Sequence, residues 1–347
     1  MNSGLPLALG AVAALAVAGA VAARRGSAAH TLPRTATLFS GGGLVEVGLK
    51  GLIDPVFAVE YDPKIAAVYA AAHGPHVEAE DVRTVTLPAA GTIDALHASP
   101  VCKAFSVAKR EVGEKDLDIE TARATAKAIR RLRPKVFTLE NVPGYRGSEA
   151  LGLIESALRD EGYTFDARVY DAADYGAATH RDRLLLRAVR GGVLPPVPAP
   201  THPEGRQADW YRAVADLVDG MPDVTMPKAK KGTESWVLPR LRKRGVDLLH
   251  VERPLLLLGG SAGSGTVPYA YAGGPAPTLK ATYKEVHRIF LPDGRIKRLN
   301  PRGMARITGL PDDYPLPKDP NLAVTIIGNG VPPALARAVF GPLLEAA

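Results

Sequence analysis

Residues 35–60 read TATLFSGGGLVEVGLKGLIDPVFAVE, and this stretch decides the fold. Thr35 to Ser40 is a short apolar run of the kind that forms a buried strand, and it runs straight into Gly41, Gly42 and Gly43. Leu44 to Lys50 then reads as the start of a helix, and Val56 to Glu60 as a second strand. Glycine lacks a Cβ and tolerates positive φ, so a strand ending in three glycines lets its backbone approach a ligand closely.

The same rhythm continues outward. Pro63 to His73 reads as a helix with proline in its first turn. Ile93 to Ala98 and Lys135 to Leu139 read as further strands, separated by a helix over Asp118 to Leu132. Strands alternating with helices predict an α/β fold with a doubly wound, mostly parallel sheet, whose ligands sit beyond the carboxyl ends of the strands. Over 191–297 the rhythm is lost: VLPPVPAP is followed by basic runs and then by LLLLGGSAGSGTVPYAYAGG. This stretch is expected to form a second, smaller domain after a first domain over 35–190. Between Lys228 and Arg244 it holds Lys228, Lys230, Lys231, Arg240, Arg242, Lys243 and Arg244 against Glu234 alone. A run this basic is either a solvated face or a phosphate-contacting surface.

Composition limits the alternatives. The chain has 347 residues, 46% hydrophobic and 23% charged, with 43 Lys and Arg against 36 Asp and Glu and a net charge of +7. These values are those of a globular protein and argue against a disordered or fibrous one. The single cysteine, Cys102, excludes an intramolecular disulfide and any site needing two thiolates; no metal is expected. Residues 1–34 contain an uncharged run from Leu5 to Ala23, followed by Arg24 and Arg25. Three readings stand for it: a membrane helix with the arginines on the cytoplasmic side, a dispensable tail or mis-chosen start, and a cleaved signal.

Several residues at the expected strand ends carry chemistry. Glu60 ends the second strand, where nucleotide-binding sheets place an acid on ribose hydroxyls, and Asp81 in HVEAEDV is placed to accept from an adenine amino group. Each also has a plain reading, as a turn, a surface acid or a cap, and a hydride-transfer cofactor would fit the same acid. Cys102 lies in SPVCKAFS just past an apolar strand, next to Lys103. A lone cysteine is commonly a small buried hydrophobe. A thiol at a ligand-binding strand end beside a cation is instead placed to react as the thiolate.

Seven segments together resemble the C5-cytosine DNA methyltransferase family, in its order and with similar gaps. They are FSGGGLVEVGL (39–49), VEYDP (59–63), SPVCKAFS (99–106), ENV (140–142), the Arg-x-Arg of THRDRLLLRA (179–188), RLNPRGMARITGLPDDY (298–314) and IGNGVPPALARAV (327–339). The resemblance implies a Rossmann-like methyltransferase fold, a target-recognition domain over 191–297, and a return of 298–347 to the first domain. It implies S-adenosylmethionine as cofactor and a flipped-out cytosine in double-stranded DNA as substrate. It further implies restriction-modification biology and a monomer in the cytoplasm with the nucleoid, membrane association being left open by the N-terminal run.

The family's reaction starts from a carbon 5 too weakly nucleophilic to take a methyl group directly, so a thiolate first adds to carbon 6. The resemblance gives that role to Cys102. Glu140 would donate a proton at N3, Asn141 would hold the neighbouring loop, and Arg181 and Arg183 would contact the base oxygen and orient Cys102 and Glu140. Cofactor contacts are implied for Phe39, Ser40, Gly41, Gly43, Glu60, Tyr61, Asp81, Val82, Pro100, Asn329 and Val331. DNA contacts are implied for Lys103, Ser106, Lys109, Arg110, Lys230, Lys231, Arg242 and Lys243.

The chain departs from the family in three places. It has Pro100-Val101-Cys102-Lys103 where Pro-Pro-Cys-Gln is usual, Thr37 where the first strand usually begins with Asp, and Thr179 in place of Gln. Rival functions are a tRNA cytosine-5 methyltransferase on the same fold, a non-catalytic DNA-binding relative, and a nicotinamide-dependent dehydrogenase.

Overall fold

The computed structural model describes residues 31–101, 116–225, 237–258, 268–281 and 287–346. All that follows lies in the compact unit Pro33–Ala347. The N-terminal apolar run lies outside the described residues. Among those that are described, no single helix is long and apolar enough to cross a membrane.

The main sheet has seven strands: β1 (Arg34–Leu38), β2 (Asp54–Val59), β3 (Val77–Glu78), β4 (Ala95–Ala98), β5 (Val136–Asn141), β6 (Tyr163–Asp171) and β7 (Asp182–Arg190). Their order is β3-β2-β1-β4-β5-β7-β6. Pairings from β3 through β5 are parallel, whereas β7 runs antiparallel to both of its neighbours. The order reverses between β1 and β4, so the crevice of this sheet opens where the loops after those two strands part.

Helices cover both faces. On one side, α3 (Asp116–Leu132) and α4 (Glu149–Asp160) pack on the sheet. Ala122, Ala128, Ile129 and Leu132 meet Leu96, Phe137 and Leu139 there. The helical spacing of these apolar residues leaves Arg123, Lys127, Arg130 and Arg131 in solvent. On the other side lie α1 (Leu44–Gly48) and the C-terminal α8 (Pro333–Glu345). Leu335, Val339, Phe340 and Leu343 close a core there with Leu49, Val136 and Leu185. This C-terminal helix thus covers β5 and β7 and packs on α1, and Gly48 permits it: a Cβ there would lie 2.3 Å from the carbonyl oxygen of Pro333.

Local sequence explains where the elements begin. Asp62 caps α2 (Pro63–His73) by accepting from the Lys64 amide, with proline at the first helical position. Ser148 caps α4 by accepting from the Leu151 amide.

A second, four-stranded antiparallel sheet has the order β11-β10-β8-β9, built from β8 (Leu255–Leu257), β9 (Tyr269–Tyr271), β10 (Arg288–Phe290) and β11 (Ile296–Arg298). The short α5 (Val237–Lys243) leads into the segment packed on its outer face, where Leu241, Val246 and Leu248 meet Leu255, Leu257 and Phe290. Its inner face shares a core with Trp210, Met221, Tyr314 and Leu44, and with α6 (Pro301–Thr308) and α7 (Pro320–Asn329) through Met304, Ile307, Val324 and Ile326. That shared core fastens the small sheet to the glycine turn of the large one.

Candidate active site

The glycine turn at the end of β1 is held open by its neighbours. Phe39 has φ 59° and Gly41 φ 55°, the left-handed region that a non-glycine residue adopts only where surrounding contacts fix it. The Ser40 amide donates to the Val59 carbonyl, while Ser40 Oγ is buried without a partner. A Cβ on Gly41 would meet nothing within 4 Å, so the turn faces open space.

Glu60 anchors this turn. Its Oε2 accepts from the Gly41 amide at 2.9 Å and its Oε1 from the Asp62 amide at 2.9 Å. Burial raises this carboxyl above its ordinary value, against those two hydrogen bonds. Next to it Tyr61 is 75% exposed, an uncovered aromatic face at a strand end. Gly42 is pinned from the far end of the chain, because Tyr314 donates to its carbonyl at 2.6 Å.

Below the turn lies a buried polar group. Glu46 on α1 accepts from the Tyr69 hydroxyl at 3.2 Å, and burial raises its carboxyl. Its hydrogen-bond partners include Thr37, the residue standing where the family usually has Asp. His73 and His76 flank the group, and burial lowers both imidazoles.

Asp81 caps the turn after β3, where its Oδ1 accepts from the Arg83 amide, and it forms an ion pair with the Arg83 side chain that lowers the carboxyl. Val82 beside it is half-buried. Asn329 is the exposed last residue of α7, and Val331 is buried in the core beneath α1 and α8.

The ends of β4 and β5 carry the second half of the site. Glu140 is buried at 6% exposure, one residue from the end of β5. Arg183 Nε lies 2.7 Å from Glu140 Oε1. This is a close ion pair without an aligned N–H hydrogen bond. Asn141 donates from Nδ2 to the Pro100 carbonyl at 3.1 Å, and its Oδ1 accepts from the Val142 amide. His97 on β4 contacts Thr138 Oγ1 at 2.8 Å and Ser99 Oγ at 3.3 Å, and burial pushes its imidazole down to about 3. A neutral histidine therefore braces the residue that opens SPVCKAFS.

The two arginines of the Arg-x-Arg pair separate. Arg183 goes to Glu140, but the Arg181 guanidinium reaches the carbonyls of Gly330, Leu279 and Gly328. Arg181 thereby joins β7 to the turn after α7 and to the loop before β10. Thr179 donates to the Pro277 carbonyl at 3.1 Å.

Cys102, Lys103, Ser106, Lys109, Arg110, Lys230 and Lys231 lie outside the described residues, whereas Arg242 and Lys243 are exposed at the end of α5. Sequence reading missed the Tyr314 tie to Gly42 and the buried group around Glu46. Tyr314 ends the quoted segment 298–314, so the segment was visible while its partner, far away in the chain, was not.

A family model described as C-5 cytosine-specific DNA methylase matches residues 34–345. The chain belongs to the C-5 cytosine-specific DNA methylase family. Among its relatives, the methylase is 25% identical over 307 residues to the type II methyltransferase M.HhaI of Haemophilus parahaemolyticus, covering 85% of this chain and 89% of that protein. It is 28% identical over 322 residues to the type II methyltransferase M.PspPI of Psychrobacter, covering 87% and 76%. Solved structures share the methylase's fold. The S. pombe Dnmt2 methyltransferase has TM-score 0.60 at 15% identity over 90% of this chain and 99% of that one. The Entamoeba histolytica methyltransferase EhMeth has TM-score 0.61 at 12% identity over the same shares. Methyltransferases of this family use S-adenosylmethionine in general.

Proposed function

We propose that this methylase transfers a methyl group to carbon 5 of a cytosine flipped out of duplex DNA, with Cys102 as the nucleophile and Glu140 as the acid. One observation carries the reading: the Glu140–Arg183 pair lies beside Asn141, which holds Pro100, two residues from Cys102. The type II designations of the relatives support a modification enzyme of a restriction-modification pair.

The glycine turn fits S-adenosylmethionine. Ser40 Oγ is a buried hydroxyl without a partner, Gly41 faces open space, Tyr61 offers an exposed ring, and Glu60 is held rigidly by two amides. When bound, S-adenosylmethionine supplies the electrophilic methyl group. Glu60 would keep lone pairs for ribose hydroxyls, and the exposed Tyr61 ring would be available to stack on the adenine. Asp81 and Val82 would flank the adenine, while Phe39, Ser40, Gly41, Gly43 and Pro100 would line the approach to the methyl group. Asn329 and the backbone at Val331 would lie on the C-terminal side of the bound cofactor.

At the base, the Cys102 thiolate adds to carbon 6 while Glu140 delivers a proton to N3, which makes carbon 5 nucleophilic. Once carbon 5 carries the methyl group, loss of its proton breaks the carbon 6–sulfur bond, restores the ring double bond and frees Cys102. Arg183 orients Glu140 at 2.7 Å. Arg181 is a positioning residue that clamps the turn at Gly328 and Gly330. Flipping costs a few kcal/mol, which phosphate contacts from Lys103, Ser106, Lys109, Arg110 and the basic run, including Lys230, Lys231, Arg242 and Lys243, offset. The small sheet and α5 belong to the target-recognition lobe.

Methyl transfer from labelled S-adenosylmethionine to duplex DNA, compared with transfer to tRNA, tests this reading. Incorporation into DNA cytosine is the expected result, and transfer to tRNA alone would replace it with the RNA reading.

A further inference from the structure

The outer face of the small sheet places two like charges side by side. β10 and β11 are antiparallel, and Arg288 lies directly opposite Arg298. Cross-strand like charges in this register destabilise a sheet unless something neutralises them. Together with Asp223, Val224 and Thr225 they line a groove of about 460 Å³. Arg298 Nε is buried without a partner, a desolvated donor that costs free energy as it stands. Arg288 Nε donates to the Thr225 carbonyl at 3.2 Å, which fixes its guanidinium at the rim. Asp223, the one carboxylate among these lining residues, is drawn off by Lys297 Nζ at 2.9 Å.

The surroundings are cationic as well. The cross-strand row runs from Arg298 through Arg288 and Leu257 to Tyr269, and the Arg244 guanidinium lies over the Tyr269 ring at 4.8 Å. Arg242 and Lys243 are exposed on the segment packed against this face.

We propose that Arg288 and Arg298 form an anion site that holds one backbone phosphate of the DNA substrate, apart from the glycine turn and Glu140. Paired guanidinium forks match the oxygens of a phosphodiester, and a phosphate there gives the buried Arg298 Nε–H an acceptor. The assignment rests on the DNA reading above. A contact of this kind positions the duplex without reading sequence.

The test uses the full chain and fluorescein-labelled duplexes of two unrelated sequences, with anisotropy followed over a salt series. Arg298→Met is expected to weaken binding equally on both duplexes and to lower the log–log salt slope by about 0.9. Arg298→Lys is expected to keep the slope. A cooperative melting transition shows that each variant is folded; if Arg298→Met lacks one, Arg298→Gln is read in its place. A second arm adds inorganic phosphate alone and follows the melting temperature. A parent-like slope in the folded variant overturns the site. A loss confined to one duplex overturns it in favour of base reading. Phosphate that stabilises the parent but not the variant, with slopes unchanged, overturns it in favour of a free-anion site. Failure of the parent to bind either duplex overturns the DNA reading itself and is thereby distinguished from failure of this site alone.

Discussion

Asn141 and Pro100 are joined by a hydrogen bond of 3.1 Å from the Asn141 amide to the Pro100 carbonyl, which ties the end of β5 to the loop that leads into Cys102. Because Asn141 directly follows Glu140, one side chain sets the spacing between the proposed acid and the proposed nucleophile. Misplacement by about 1 Å in such a pair costs up to about 10²-fold in rate. Asn141→Asp keeps the acceptor for the Val142 amide but removes the donor to Pro100. It is expected to lower kcat about as much as Asn141→Ala while leaving S-adenosylmethionine affinity unchanged. Wild-type turnover in Asn141→Asp would separate the bond from catalysis.

Glu140→Gln keeps the shape and removes the acidic proton. Turnover is expected to fall by about 10²–10⁴, with duplex and cofactor affinities retained. Single-turnover methyl transfer measures it, and unchanged chemistry would reduce Glu140 to a structural partner of Arg183.

Glu60 and Tyr314 hold the glycine turn from opposite ends of the chain. Glu60→Ala removes a charged acceptor, and a hydrogen bond to a charged group is worth about 1.5–3 kcal/mol. S-adenosylmethionine affinity by calorimetry is therefore expected to weaken about 10–100-fold. Tyr314→Phe removes a neutral bond worth about 1 kcal/mol, with a smaller loss of cofactor affinity and a lower urea midpoint. Equal affinities in all three proteins would place the cofactor elsewhere.

His97 gives stability a definite pH dependence. Burial holds its folded value at about 3, whereas the unfolded value is about 6.5. Between those values the unfolded chain binds a proton that the folded chain excludes, so stability falls as pH drops through that window and is unaffected above it. Urea unfolding of parent and His97→Gln between about pH 6 and pH 5 isolates this contribution. The parent is expected to lose up to about 1.4 kcal/mol per pH unit more than the variant. Parallel curves would mean that His97 is not buried neutral.

The family match starts at residue 34, after the apolar run. Deletion of residues 2–30 is accordingly expected to leave methyl transfer unchanged. Loss of S-adenosylmethionine binding in the truncated protein would show that the run packs on the catalytic domain.

Local patterns carried much of the fold. The apolar run before Gly41 became β1, Pro63 to His73 formed the helix its capping residues specify, and Lys135 to Leu139 marked β5, which continues to Asn141. The antiparallel insertion of β7 between β5 and β6 was not legible, because strand direction is set by pairing across the sheet rather than by local composition. Site residues followed the same division. Glu60 and Glu140 stand at strand ends that the sequence marks, but the separate destinations of Arg181 and Arg183 depend on carbonyls brought in from Leu279, Gly328 and Gly330. Arg298 was visible within RLNPRGMARITGLPDDY, yet its position opposite Arg288 exists only once β10 and β11 pair.

The proposed reaction turns on a covalent bond between Cys102 and carbon 6 of the target cytosine during methyl transfer. Duplex DNA carrying 5-fluorocytosine cannot lose its C5 substituent after methylation, so the adduct is trapped when S-adenosylmethionine is present. Denaturing electrophoresis of the full chain with this duplex is expected to show a stable protein–DNA band in the parent and none in Cys102→Ser. A full yield of the denaturation-resistant complex in Cys102→Ser would rule out Cys102 as the nucleophile.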